Sequence, residues 1–130
     1  MIRHFTNIIK AAWRAFKNAD FISDRYVLGM IALGAAINVG LWYYLKHSLG
    51  PADSFKVTHY TFASGADLLG KASDIYALAY YAAIFSLANV VIARFVYGYD
   101  ALMAYMTVSA VPVLNLFIFF QGFLLVQANA

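Results

Sequence analysis

Three apolar runs, Tyr26 to Leu45, Ile75 to Tyr97 and Ala101 to Val126, constrain this chain more than anything else in it. They hold 20, 23 and 26 residues and one charged side chain, Arg94. At a helical rise of 1.5 Å per residue, about 20 residues cross the roughly 30 Å hydrocarbon core of a bilayer. Within lipid every backbone N–H and C=O must be bonded inside the protein, which leaves helices or closed barrels. Barrel strands alternate apolar and polar residues, and these runs do not, so they predict three transmembrane helices. Composition agrees, since only 12% of residues are charged where a soluble domain carries about 25%. The expected fold is an all-α membrane protein.

Ahead of the first span, residues 1–22 place Ile2, Phe5, Ile9, Ala12, Trp13 and Phe16 on one helical face beside a stripe of Arg3, Lys10, Arg14 and Lys17. The charges interrupt every apolar run, which argues against a cleaved signal peptide. The pattern predicts an amphipathic helix lying in the membrane interface, its basic stripe toward anionic headgroups and Trp13 at headgroup level. Ser23 and Asp24 then supply an N-cap for the first span. The organisation expected is an interfacial helix over 1–22 and a three-helix transmembrane domain over 23–130.

The second and third spans are joined by a short link from Tyr97 to Asp100 and form an antiparallel hairpin. A long loop, 46–74, joins the first two. Loops of that length usually bind, cover or dock something. Within it Phe55-Lys56-Val57-Thr58-His59-Tyr60-Thr61-Phe62 alternates as a single extended strand would. Six basic residues, Arg3, Lys10, Arg14, Lys17, Arg25 and Arg94, fall on the side of the N-terminus and the short link, against Lys46, Lys56 and Lys71 on the other. The positive-inside rule then puts the N-terminus in the cytoplasm and the long loop and C-terminus outside. Tyr and Trp residues flank both sides of the spans, as aromatic belts do.

Each span carries one asparagine near its middle, Asn38, Asn89 and Asn115. Such amides bond between helices in lipid, so these are expected to be packing contacts. Ala32, Ala36 and Gly40 recur every fourth residue along the first span, a spacing that lets another helix approach closely. Gln121, in the half of the third span nearer the C-terminus, is available to bond a partner. Catalytic and cofactor signatures are missing. There is no cysteine, glutamate, Gly-x-Ser-x-Gly elbow or histidine within a span. His47, His59 and Asp67 offer imidazole and carboxylate but no pair at helical ligand spacing, so neither a metal nor another cofactor is expected. A net charge of +3 is too small and scattered for a nucleic-acid surface.

The loop residues His59 and Tyr60, then Gly65, Asp67, Gly70 and Lys71, resemble an extracytoplasmic motif of the SdpI-type immunity and signalling membrane proteins, and the order of span, motif and further spans is similar. Short three-span membrane proteins of candidate-phylum bacteria share the same outline. Val57 stands where that motif has proline, Thr61 where it has asparagine, and the step from His59 to Gly65 is one residue longer. The resemblance implies a bacterial inner-membrane protein whose outer loop binds an extracellular peptide. The residues themselves suggest that His59 and Asp67 pair to pin the loop's arms, with Gly65 and Gly70 permitting turns. They point to a non-enzymatic interaction or structural subunit, partnered by the lipid bilayer and by other membrane-protein subunits or a second copy.

Overall fold

The computed structural model describes residues 20–61 and 65–130, with side chains left aside from 60 to 67. Helix α1 spans Arg25–Leu49, strands β1 and β2 span Phe55–Thr61 and Gly65–Lys71, α2 spans Ala72–Tyr97 and α3 spans Ala101–Ala128. All three helices are long and apolar enough to cross a membrane, the architecture of an integral membrane protein. Residues 1–19 of the expected interfacial helix lie outside the described residues. The last three residues of that segment, Asp20–Ile22, form a 3-10 turn whose Phe21 is buried against Val27, Ala93 and Val108. Phe21 therefore packs with side chains of all three helices.

The long loop requires a larger correction. Helix α1 runs on to Leu49 and α2 begins at Ala72, and most of what lies between is a β-hairpin, so the fold is not purely helical. β1 pairs with β2 antiparallel, from Phe55 opposite Lys71 to Thr61 opposite Gly65, with an irregularity beside His59. Where one alternating strand was expected there are two. Gly65-Ala66-Asp67 has almost no intrinsic strand preference, and it is recruited by the strand next to it.

Each helix starts where a carboxylate can take its free N–H groups. Asp24 accepts from the Tyr26 and Val27 amides at 2.9 and 3.3 Å. Asp100 accepts from Met103 at 3.1 Å. Asp74, three residues into α2, reaches back to the Lys71 amide at 2.9 Å, half of a capping box.

Helix α3 is central and packs along both others, while the α1–α2 seam is the least closed of the three. Near the hairpin, Leu41, Leu45 and Leu49 of α1 meet Ala72, Ile75 and Ala79 of α2 and Leu125 of α3. Outward faces are apolar, with Val39, Ile84 and Phe117 all largely exposed, as lipid-facing side chains are in a membrane. The hairpin is tied down at three places. Asn129, capping α3, acts as a third strand to β1, its Oδ1 accepting from the Val57 amide at 2.7 Å and its Nδ2 donating to the Val57 carbonyl at 2.9 Å. The Ala72 amide donates to the Ser54 carbonyl, and the Tyr76 hydroxyl donates to the Gly50 carbonyl.

Candidate functional site

Two polar clusters hold the helices together, one at mid-depth and one at the end near the α2–α3 link. Asn38, Ser86 and Asn115 each lie within about 3 Å of the midpoint of their own helix at 1.5 Å per residue. Asn38 Nδ2 donates to the Ala79 carbonyl at 3.0 Å and to Asn115 Oδ1 at 3.1 Å. Asn115 Nδ2 donates to Ser86 Oγ at 2.6 Å and to the Val111 carbonyl at 2.8 Å. The Ser86 hydroxyl in turn donates to the Ala82 carbonyl at 2.7 Å. Both hydrogens of each amide are used, and Asn115 is completely buried. In hydrocarbon an unmade bond has no water to fall back on, so the hub fixes depth and rotation of all three helices at once.

Of the three asparagines expected to pack, Asn38 and Asn115 are brought together and Asn89 is not. Ser86, one turn away, takes its place. Three residues advance a helix by about 4.5 Å, which carries Asn89 toward the α2–α3 link and out of the depth at which Asn38 and Asn115 meet. Ala32, Ala36 and Gly40 are all exposed on α1, and of the three only Gly40 borders α3, where an added Cβ would lie 4.0 Å from Phe119. The close approach inside the bundle is made at Gly34, where an added Cβ would sit 2.5 Å from Val111 Cγ1 and 3.4 Å from the Pro112 nitrogen. Beside the hub, the α1–α2 seam opens into a groove of about 280 Å³ with Asn38 and Ser86 in its lining.

At the other cluster, Asp24 Oδ2 accepts from the hydroxyls of Tyr105 at 2.6 Å and Tyr97 at 2.8 Å. One carboxylate thus joins the start of α1 to the end of α2 and the start of α3. Tyr26 lies 5.1 Å from the Tyr105 ring, edge-on. Its hydroxyl meets Ser109 Oγ at 2.7 Å. Arg94, the one charge within a span, lies over the Phe21 ring at 5.5 Å. Spacing along the chain gave no hint of the clasp, since its partners are 73 and 81 residues from Asp24.

The Tyr105 and Tyr97 hydroxyls, with the two helix amides, hold the Asp24 carboxyl below its ordinary value of 3.8, outweighing partial burial. A depressed carboxylate contributes stability that is complete above the unfolded value and lost as pH falls through the lower folded value. Thermal unfolding in detergent should therefore show the wild-type advantage over Asp24→Asn constant from neutral pH to about pH 3.8, then shrinking below it. An advantage that grows on acidification would contradict the clasp.

The residues of the loop motif are distributed along the hairpin. His59 is exposed on β1 opposite Leu68. The side chains of Tyr60 and Asp67 lie outside the described residues, and so does the expected His59–Asp67 pairing. Gly65 pairs with Thr61 at the end of β2 nearer the turn. Gly70, expected in a turn, instead lies within β2 opposite Lys56. A Cβ there would come within 2.8 Å of both Thr58 Cγ2 and Asp74 Oδ2, so this glycine serves a close approach. Lys71 directly precedes α2, with its Nζ 3.9 Å from Asp53. Among the described residues no three of His, Cys, Asp and Glu gather as a metal site would require. In comparisons with known proteins, no family model, no curated protein and no solved structure matches this chain.

Proposed function

We propose that this is a non-enzymatic integral membrane subunit that works by associating with other membrane chains or with a second copy of itself. Gln121 carries the reading. It is exposed on α3 among the exposed apolar side chains of Phe117, Phe120 and Leu124, and its amide bonds no other described residue. An amide facing hydrocarbon gains what a neighbouring helix can offer, and it is self-complementary, donating and accepting at once. The exposed stripe of Ala32, Ala36 and Gly40 leaves a second face open to close approach. By the basic-residue count the N-terminus is cytoplasmic and the hairpin and C-terminus lie outside, and the loop's resemblance to the SdpI-type proteins points to a bacterial inner membrane.

Crosslinking in native membranes, followed by identification of the chains captured, tests this. A defined partner or dimer that is lost in Gln121→Leu, at unchanged abundance, is the expected result. A chain that stays monomeric in native membranes and crosslinks to nothing would overturn it.

A second reading, an SdpI-like sensor or immunity protein, is favoured by one observation. The hairpin exposes Phe55 and Leu69, at 80% and 75%, on one of its faces, apolar side chains at the end of the bundle where a peptide would dock. Loss of response to an extracellular peptide in His59→Ala or Asp67→Ala, with abundance intact, would support it. Loss of abundance would mark the motif as structural.

A further inference from the structure

At the hairpin end, the α1–α2 seam widens into a cavity of about 330 Å³ lined by Trp42, Lys46, Ala52, Ser73, Tyr76 and Tyr80. Its position near the last turn of α1 and the first turns of α2 puts it at headgroup depth if these helices span the bilayer. Lys46 Nζ stands 4.6 Å over the Trp42 ring, and it has no carboxylate partner among the described residues. The nearby acid Asp53 is paired with Lys71. The walls are therefore largely aromatic, with one uncompensated cation, the hydroxyls of Ser73, Tyr76 and Tyr80, and no carboxylate.

From this geometry we infer that the cavity is a binding site for the headgroup of an anionic phospholipid. Lys46 takes the phosphate, Trp42, Tyr76 and Tyr80 cover the glycerol region, and the acyl chains descend along the outward faces of α1 and α2. A zwitterionic lipid fits less well, because its ammonium would meet Lys46 and find no acid in the lining. Lys46 forms no ion pair among the described residues, so Lys46→Gln removes the charge at the cost only of its contact with Trp42. The inference rests on the helices spanning a bilayer and not on the identity of any protein partner.

The test is native mass spectrometry of the full chain released from bilayers of equal phosphatidylglycerol and phosphatidylethanolamine, counting retained lipids. Wild type should retain one phosphatidylglycerol in preference to phosphatidylethanolamine. Lys46→Gln should reduce that preference about fivefold, the ratio corresponding to about 1 kcal/mol per lysine at a headgroup surface. Ala52→Phe, which fills the cavity and keeps the charge, should lose the retained lipid, while Lys56→Gln, on β1 outside the cavity, should behave as wild type. Equal retention of the two lipids by wild type, or an undiminished preference in Lys46→Gln, would overturn the site and reduce Lys46 and Trp42 to interfacial anchors.

Discussion

Asn115→Asp should be the most damaging single substitution in the bundle. Asn115 is wholly buried at mid-depth, where it donates to Ser86 and Val111 and accepts from Asn38. Aspartate keeps the shape and the acceptor but replaces the two N–H donors with either a charge or a single O–H in the driest part of the structure. A carboxylate at the centre of a membrane helix costs about 3 kcal/mol. Asn115→Leu fills the same space and removes two interhelical bonds, for a loss of roughly 1–3 kcal/mol. Reversible unfolding in mixed micelles should therefore rank wild type above Asn115→Leu, and Asn115→Leu above Asn115→Asp. A leucine variant as stable as wild type would show that the hub contributes nothing to holding the helices.

The second large effect is expected at Gly34. Replacing glycine by alanine inside a helix ordinarily stabilises by about 1 kcal/mol. At Gly29, where nothing lies within 4 Å of the added Cβ, that gain should appear. At Gly34 the new methyl would stand 2.5 Å from Val111 Cγ1. Valine in a helix has one strongly preferred rotamer, so Val111 cannot swing aside, and the two helices must separate. Overpacking of this kind costs about 1–3 kcal/mol, enough to reverse the sign of the substitution. Gly34→Ala combined with Val111→Ala should recover part of the loss, because the colliding atom is gone. If Gly34→Ala and Gly29→Ala behave alike, α1 and α3 do not meet as described.

These two positions also show where sequence reasoning stops. The spans were readable because lipid leaves a hydrophobic run of that length few alternatives, and their termini shifted by only a few residues. Asn38 and Asn115 stood out as amides in apolar runs at matching depth. Which small residue faces a neighbour depends on how α1 is rotated, and no local pattern records that rotation. Hence Ala32, Ala36 and Gly40 look like the contact stripe while Gly34 makes the contact. Ser86 was passed over because a serine that bonds its own helix at Ala82 is unremarkable until Asn115 arrives from α3. The hairpin was half legible: β1 alternates, whereas β2 exists because β1 pairs with it and because Asn129 and the start of α2 hold the pair in place. The Asp24 clasp joins residues that only the finished bundle brings together.

The claim beneath all of this is that α1, α2 and α3 cross a bilayer, with the hairpin and C-terminus at one surface and the α2–α3 link at the other. The chain has no cysteine, so single cysteines can be placed by Ser54→Cys, Ala130→Cys and Tyr99→Cys and exposed to a membrane-impermeant thiol reagent on intact cells. The account predicts that the first two are labelled and that Tyr99→Cys reacts only after the membrane is opened. Labelling of Tyr99→Cys together with Ser54→Cys on intact cells would contradict it.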